Sequence, residues 1–102
     1  MIIRSKAPLR LGLAGGGSDV SPYSDLYGGA ILNATINMYA YATIQPTRDK
    51  KIILHSLDSN TRQVFDSVKS LEIDEQFGLA KGIYNRIVKE ITKRPNSFEL
   101  TT

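Results

Sequence analysis

The stretch from Leu9 to Tyr23, LRLGLAGGGSDVSPY, decides how this chain folds and what it can bind. A run of apolar and β-prone residues leads into three consecutive glycines, 15–17, which are followed by Ser18 and Asp19. Fixing a glycine costs more backbone entropy than fixing any other residue, so three in a row require a reason. Four kinds of structure would explain the glycines: a phosphate cradle, a dinucleotide fingerprint, a sugar site or a tight turn.

Two nucleotide-binding motifs can be excluded from the spacing. A P-loop requires two glycines five residues apart, followed by Lys and then Ser or Thr. Gly12 and Gly17 have this separation, but Ser18 and Asp19 follow, and a carboxylate would repel the phosphates. The dinucleotide fingerprint fails because Val20 occupies the position of its third glycine and no long helix with a βαβ return follows.

A sugar site and a tight turn both remain compatible with the residues. Glycines let a ligand approach the backbone and leave amide N–H groups accessible. The carboxylate of Asp19 could accept hydrogen bonds from several sugar hydroxyls, and Arg10 on the preceding strand could bind a phosphate or orient that carboxylate. In the alternative, Ser18 or Asp19 caps a short helix over residues 20–26, and Arg10 lies on the surface.

The flanking segments predict an α+β fold rich in strands. Residues 2–14 form one or two extended segments with Pro8 at a kink or an edge, and residues 30–37 and 39–47 form two further strands. Residues 52–58 and 61–66 are predicted to pair with each other, and a last strand begins in SFELTT at the end of the chain.

One helix is predicted between the last two strands. Apolar residues recur at three- and four-residue steps from Phe77 to Ile91, which indicates an amphipathic helix beginning near Asp74 with its apolar stripe in the core. Acidic residues near its start and Lys93 at its end match the helix dipole, and Pro95 stops it. The pattern is typical of the opening part of a larger α+β protein.

Composition restricts the class of protein. With 102 residues the chain is one small domain, and its 41% hydrophobic and 23% charged content is that of an ordinary globular protein. The absence of cysteine and the presence of one histidine, His55, argue against a metal site. There is no secretory h-region and no apolar run near the roughly 18 residues of a membrane span, so we expect a cytoplasmic protein with no membrane partner.

The stretch APLRLGLAGGGSDVSPY, followed by GGAILNATINMYAYATIQP, resembles the opening of the GHMP small-molecule kinases. It is most similar to the branch of sugar-1-kinases that act on D-glycero-D-manno-heptose 7-phosphate, with the fucose kinases nearby. The resemblance extends over all 102 residues and implies the N-terminal portion of a GHMP-kinase domain. It further implies a mixed or antiparallel sheet with one long helix. The expected activity is transfer of a phosphoryl group from ATP, with Mg²⁺, to the anomeric hydroxyl of a sugar or sugar phosphate.

The resemblance also implies a set of substrate-binding residues. In galactokinases the first motif reads Pro-Gly-Arg-x-Asn-Leu-x-Gly-Glu-His-Thr-Asp, and its sugar-binding aspartate falls on Asp19. Gly16 and Gly17 replace the glutamate and histidine that touch galactose, which argues against galactose and leaves room for a bulkier or phosphorylated sugar. The predicted substrate-binding residues are Arg10, Gly16, Gly17, Ser18, Asp19 and Tyr23.

Other parts of such a kinase are expected outside this chain. The family's phosphate loop should follow the strand that begins in SFELTT, and the catalytic aspartate and the C-terminal domain would come later. We therefore predict no catalytic residue here and expect no phosphoryl transfer by these 102 residues alone. The resemblance implies that the segment SLDSNTRQ, residues 56–63, borders the adenine pocket, but the residues themselves assign no contact with ATP.

A small basic RNA-binding module is the alternative function. The kinase family shares its N-terminal fold with a ribosomal-protein domain, and the chain has a net charge of +3. An RNA module would need exposed aromatic residues beside a contiguous basic face, whereas the basic residues here are spread along the chain. We therefore predict no nucleic-acid partner, which the salt dependence of RNA binding would test.

Overall fold

The computed structural model describes residues 1–102 as five strands and two helices. The strands are β1 (Ile3–Ala14), β2 (Leu32–Pro46), β3 (Lys51–Ser56), β4 (Thr61–Asp66) and β5 (Phe98–Thr101). Helix α1 spans Tyr23–Tyr27, and helix α2 spans Gly78–Ile87 and continues as a π-helical turn, Val88–Thr92. The strands form one sheet in the order β1-β2-β5-β3-β4, so the predicted α+β fold with one long helix is confirmed.

The sheet is mixed because β5 inserts between two strands that precede it in the chain. Strand β2 pairs with β5 in the antiparallel direction, from Thr43 opposite Thr101 to Pro46 opposite Phe98. Strand β5 runs parallel to β3, with Ile52 opposite Phe98. Strands β3 and β4 form the predicted antiparallel hairpin.

The first two strands are each continuous. Strand β1 is a single segment, and Pro8 is tolerated within it because β1 lies at the edge of the sheet. The prediction of separate strands at 30–37 and 39–47 was wrong, since β2 continues through Met38. No glycine, proline or turn-forming pair stands at this point, so nothing in the sequence interrupts the strand.

The chain divides into two compact units, one of residues 6–41 and the other of residues 1–5 with 42–102. The second unit contains the buried core, which consists of Ile52, Leu54, Leu71, Tyr84 and Val88. Strand β3 supplies two of these residues because it has hydrogen-bonded neighbours on both sides, β5 and β4. The buried Tyr84 hydroxyl donates to the carbonyl of Val68 at 2.5 Å and accepts the Asn96 N–H at 3.2 Å.

Helix α2 differs from the prediction at its start and in its buried face. It begins at Gly78 and not near Asp74, so that carboxylate lies outside the first turn. The apolar stripe is core only in part, since Tyr84 and Val88 are buried while Ile83 and Ile91 are 50% and 73% exposed. Positions four residues apart follow one line along a helix, and packing against the sheet covers only one of the two apolar lines.

The helix ends one turn before Pro95, as predicted. Lys93 adopts the left-handed conformation, with φ 58°, and its N–H donates to the carbonyl of Val88 at 2.9 Å. Neither helix has the length and apolar character that crossing a lipid bilayer would demand.

Candidate functional site

The loop between β1 and β2 folds back on itself around Ser18. The Ser18 amide donates to the carbonyl of Gly15 at 3.1 Å, and its hydroxyl lies 2.7 Å from the same oxygen. That hydroxyl is also 3.0 Å from the carbonyl of Ala30 and accepts the Ala30 N–H at 3.2 Å. The Ser18 side chain therefore joins the two ends of the loop.

Two glycines are required where these ends meet. Gly15 has φ 80°, and a Cβ placed on it would lie 2.0 Å from the carbonyl oxygen of Ala30. A Cβ on Gly29 would lie 2.1 Å from the carbonyl oxygen of Ser18. By contrast, a Cβ on Gly16 would meet nothing within 4 Å, so the backbone there borders open space.

A cavity of about 430 Å³ lies beside this loop, within the unit of residues 6–41. Its lining consists of Arg10, Gly12, Leu13, Ala14, Gly16, Asp19, Ile31, Leu32 and Asn33. A guanidinium, a carboxylate and a carboxamide thus share one cavity with aliphatic walls. This combination suits a ligand that carries hydroxyls and a negative charge.

Three of the six predicted site residues, Arg10, Gly16 and Asp19, line this cavity, and Gly17, Ser18 and Tyr23 do not. Asn33 lines it without having been predicted. The sequence feature that could have identified Asn33 is its position at the start of the strand that follows the glycine loop. Because β1 and β2 are neighbours in the sheet, a polar residue there comes near the β1 side chains.

The interpretation of Ser18 or Asp19 as a helix cap was wrong. Helix α1 begins at Tyr23, its N-cap position is Pro22, and no side chain caps it. In the segment before the helix, the Ser21 hydroxyl donates to the carboxylate of Asp25 in the first turn of α1. Asp19 therefore has no capping function that would occupy its carboxylate.

A second cavity, of about 330 Å³, lies in the other unit, where β3, β4 and β5 meet the loop before α2. Three of its residues, Ser56, Ser59 and Thr61, belong to the segment SLDSNTRQ, for which the family resemblance implied a place beside the adenine. Three hydroxyl side chains, a carboxylate, a carboxamide and an aromatic ring line it, together with the end of the chain: Ser56, Ser59, Thr61, Glu75, Gln76, Phe77 and Thr102.

A buried lysine holds the loop that borders this second cavity. Lys81 Nζ lies 2.6 Å from Asp74 Oδ1, and the same oxygen accepts the Gln76 N–H at 3.1 Å. The hydrogen bond from Lys81 is the main cause that lowers the pKa of Asp74. Gln63 Nε2 donates to Gln76 Oε1 at 2.6 Å, while the buried Gln63 Oε1 has no hydrogen-bond partner.

These residues do not form a metal site. Nowhere in residues 1–102 do three or more His, Asp or Glu side chains come together in a group that could hold a metal ion. Divalent cations such as Mg²⁺ take oxygen ligands, and the cavity in the glycine loop offers one carboxylate, that of Asp19.

Comparison with known proteins relates the chain to sugar kinases, although no protein-family model matches it. It is 49% identical over 100 residues to the D-glycero-alpha-D-manno-heptose 7-phosphate kinase of Campylobacter jejuni, which covers 98% of this chain and 30% of that protein. It is 28% identical over 81 residues to the L-fucokinase/L-fucose-1-P guanylyltransferase of Bacteroides fragilis, covering 76% of this chain and 8% of that protein.

Solved structures agree in fold. The crystal structure of a D-glycero-D-manno-heptose 1-phosphate kinase from Bacteroides thetaiotaomicron matches 99% of this chain and 33% of its own, with TM-score 0.88 and 55% identity. A sugar kinase structure from Campylobacter jejuni matches 98% of this chain and 32% of its own, with TM-score 0.83 and 48% identity. Mevalonate kinase from Methanococcus jannaschii, at 19% identity and TM-score 0.70, shows likeness of fold alone.

The chain spans about a third of the length of the heptose-kinase relatives that it matches. The matches to these relatives cover 98–99% of this chain. The chain therefore belongs to the GHMP kinase superfamily and corresponds to the N-terminal portion of the heptose-kinase-like sugar kinases.

Proposed function

We propose that the protein carrying this chain transfers a phosphoryl group from ATP to the anomeric hydroxyl of a sugar phosphate, D-glycero-D-manno-heptose 7-phosphate. The observation that carries this proposal is the cavity in which Arg10, Asp19 and Asn33 come together. The names of two relatives, a heptose 7-phosphate kinase and a heptose 1-phosphate kinase, support the choice of a heptose phosphate.

Each polar group has a distinct task in this proposal. The Asp19 carboxylate accepts hydrogen bonds from sugar hydroxyls, since an ionised carboxylate only accepts. The Arg10 guanidinium binds the phosphate that the substrate already carries, because its planar fork matches phosphate oxygens. The Asn33 carboxamide both donates and accepts, which suits a hydroxyl whose orientation must be fixed. The open backbone at Gly16 allows the sugar ring to approach closely.

We assign binding of the sugar to this chain, and the catalytic groups to the parts of the protein beyond it. Phosphoryl transfer depends on positioning and on electrostatic stabilisation of the moving phosphoryl group. The cavity in the glycine loop offers one guanidinium beside one carboxylate, a set that fits the acceptor better than a triphosphate. These 102 residues alone are therefore expected to bind sugar without transferring phosphate.

The second cavity suits the base and ribose of ATP. The Phe77 ring offers a stacking surface, the hydroxyls of Ser56, Ser59 and Thr61 suit a ribose, and the Gln76 carboxamide can pair with a base edge. When bound, ATP would supply the phosphoryl group. The residues do not fit Mg²⁺, so no step through that ion is assigned to them.

Titration calorimetry with heptose 7-phosphate on the intact protein tests the sugar site. We expect Asp19→Ala to weaken sugar binding about tenfold or more, since it removes hydrogen bonds to a charged group. Glu72→Ala is the matched control, because it removes the same charge from an exposed position outside the cavity. Binding of ATP should be the same in both variants.

The proposed binding of the substrate phosphate by Arg10 is tested separately. Titrating the heptose with and without its 7-phosphate should show a preference for the phosphorylated sugar that Arg10→Gln abolishes. If Asp19→Ala binds the sugar phosphate as tightly as the control, the proposed site is incorrect. If Arg10→Gln retains the preference, the phosphate lies elsewhere.

A further inference from the structure

A basic groove borders the C-terminal half of the long helix, in the unit that contains the core. It is open to solvent, has a volume of about 580 Å³ and lies between the helix and the loop that follows β4. Four cations and one carboxylate are among its lining residues, which are Lys69, Ser70, Asn85, Arg86, Val88, Lys89, Glu90 and Lys93. This groove shares no residue with the two cavities described above.

Most of the positive charge in the basic groove is left without an anionic partner. Arg86 Nε pairs with Glu90 Oε2 at 3.2 Å. The Lys93 ammonium donates to the carbonyl of Lys89, which leaves two of its three N–H donors free for other acceptors. No ion pair joins Lys69 or Lys89 to a carboxylate.

The helix backbone brings like charges together at this point. Lys89 lies on the π-helical turn and Lys93 ends it, four residues later. A π turn contains more residues than an α turn, so positions four apart lie nearly above one another. Like charges in this arrangement destabilise a helix, and π turns are frequent at functional sites.

The two walls of the groove are fixed relative to each other. Asn85 on the helix accepts the Leu71 N–H at 2.7 Å and donates to the Leu71 carbonyl at 2.8 Å. This double hydrogen bond ties the loop that carries Lys69 and Ser70 to the helix that carries Lys89. The backbone segments that carry the cations of the two walls are therefore held together before any ligand arrives.

We propose that the basic groove binds a small polyphosphate anion. Lysines bind phosphate oxygens as point charges, and the Ser70 hydroxyl is a neutral donor in the same lining. No aromatic residue lines the groove, whereas single-stranded RNA is recognised by bases that stack on aromatic side chains. The lining therefore favours a small phosphate anion over an RNA strand. The proposal is independent of the kinase function.

Calorimetric titration with inorganic tripolyphosphate tests the proposal. Wild-type protein should bind it with one site, and Lys69→Gln/Lys89→Gln should bind it about a hundredfold more weakly, roughly tenfold for each charged donor removed. The control is Arg48→Gln/Lys50→Gln, which removes two cations from the exposed turn between β2 and β3 and should bind as wild type does. Single variants separate the contributions of Lys69 and Lys89.

Three results would overturn this assignment. The first is wild-type protein that does not bind tripolyphosphate. The second is a control variant that loses as much affinity as the groove variant, which would indicate general charge attraction. Tighter binding of a single-stranded RNA oligonucleotide through the same lysines would identify a nucleic-acid surface instead. None of these results bears on Asp19, so failure here is distinct from failure of the sugar site.

Discussion

Lys81 and Asp74 form an ion pair in which the two partners have very different environments. The Nζ and Oδ1 atoms are 2.6 Å apart, yet the Lys81 side chain is 1% exposed and the Asp74 side chain is 54% exposed. The ammonium also lies over the Phe65 ring, 4.9 Å from its centre. Water can solvate the carboxylate but not the ammonium, so the lysine depends on the aspartate more than the reverse.

This asymmetry predicts unequal effects of removing either charge. Asp74→Ala leaves a buried ammonium without a partner, whereas Lys81→Met keeps the apolar volume and leaves a carboxylate that water can reach. We expect Asp74→Ala to lower the urea midpoint of unfolding more than Lys81→Met does. Glu72→Ala, at an exposed position, should leave the midpoint unchanged. Equal effects of the first two variants would show that the pair contributes nothing specific.

Acid should destabilise the protein through two aspartates. The pKa of Asp74 is lowered chiefly by the hydrogen bond from Lys81, and that of Asp49 by the hydroxyls of Thr47 and Ser97 and the N–H of Lys51. A carboxyl whose pKa is lower in the folded state stabilises that state above its unfolded value of 3.8. The contribution is lost as the pH falls through the folded value.

Urea unfolding at about pH 6 and about pH 3 would measure this loss. Asp49→Asn should lose less stability between the two conditions than the wild type, because the amide does not titrate. The same holds for Asp74→Asn. Asp58→Asn, a change at a carboxyl in the exposed β3–β4 turn, should follow the wild type. A wild-type-like loss in Asp49→Asn and Asp74→Asn would show that other groups control acid stability.

The Tyr84 hydroxyl connects the helix to the segments on either side of it. It donates to the Val68 carbonyl and accepts the Asn96 N–H, so Tyr84→Phe leaves two backbone groups without a partner. We expect a loss of about 1–3 kcal/mol in the free energy of unfolding. Tyr27→Phe, on the exposed helix α1, should change it by less than about 0.5 kcal/mol. Chemical denaturation of both variants provides the comparison.

The local sequence pattern was sufficient to predict those elements whose contacts are with residues close in sequence. The β3–β4 hairpin and the end of the helix before Pro95 follow from alternation, turn residues and a helix breaker. The start of the helix could not be predicted, because Asp74 binds Lys81 seven residues away. Which apolar line of the helix is buried depends on the sheet, and periodicity alone does not specify this.

In the candidate site too, residues identified by a local motif were predicted, and residues brought together by strand pairing were not. Asp19 and Arg10 were identifiable from the glycine run and its resemblance to a kinase motif, and the structure places both on one cavity. Asn33 was missed because its proximity arises from strand pairing. Ser18 was expected to face a sugar, yet its hydroxyl lies at hydrogen-bond distance from Ala30, twelve residues later. The substrate contacts of all six predicted residues stay predictions.

Gly15→Ala should destabilise the protein by about 2–4 kcal/mol, the sum of a left-handed backbone and a steric clash. Its φ is 80°, and the new Cβ would lie 2.0 Å from the Ala30 carbonyl oxygen, so the loop would have to open. Substitution of Gly17 separates the backbone strain from the steric clash. Gly17→Ala adds strain at φ 88° without a clash, and should cost about 1–2 kcal/mol.

Gly12→Ala completes the series as its control. A Cβ there meets nothing within 4 Å, and Gly12 lies in the extended β1 strand, so the change should be neutral or stabilise by up to about 1 kcal/mol. Urea denaturation of the three variants gives the order Gly15, Gly17, Gly12 from most to least destabilised. If Gly15→Ala were no worse than Gly17→Ala, the close approach to Ala30 would be dispensable. The glycine run would then serve the ligand cavity more than the closure of the loop.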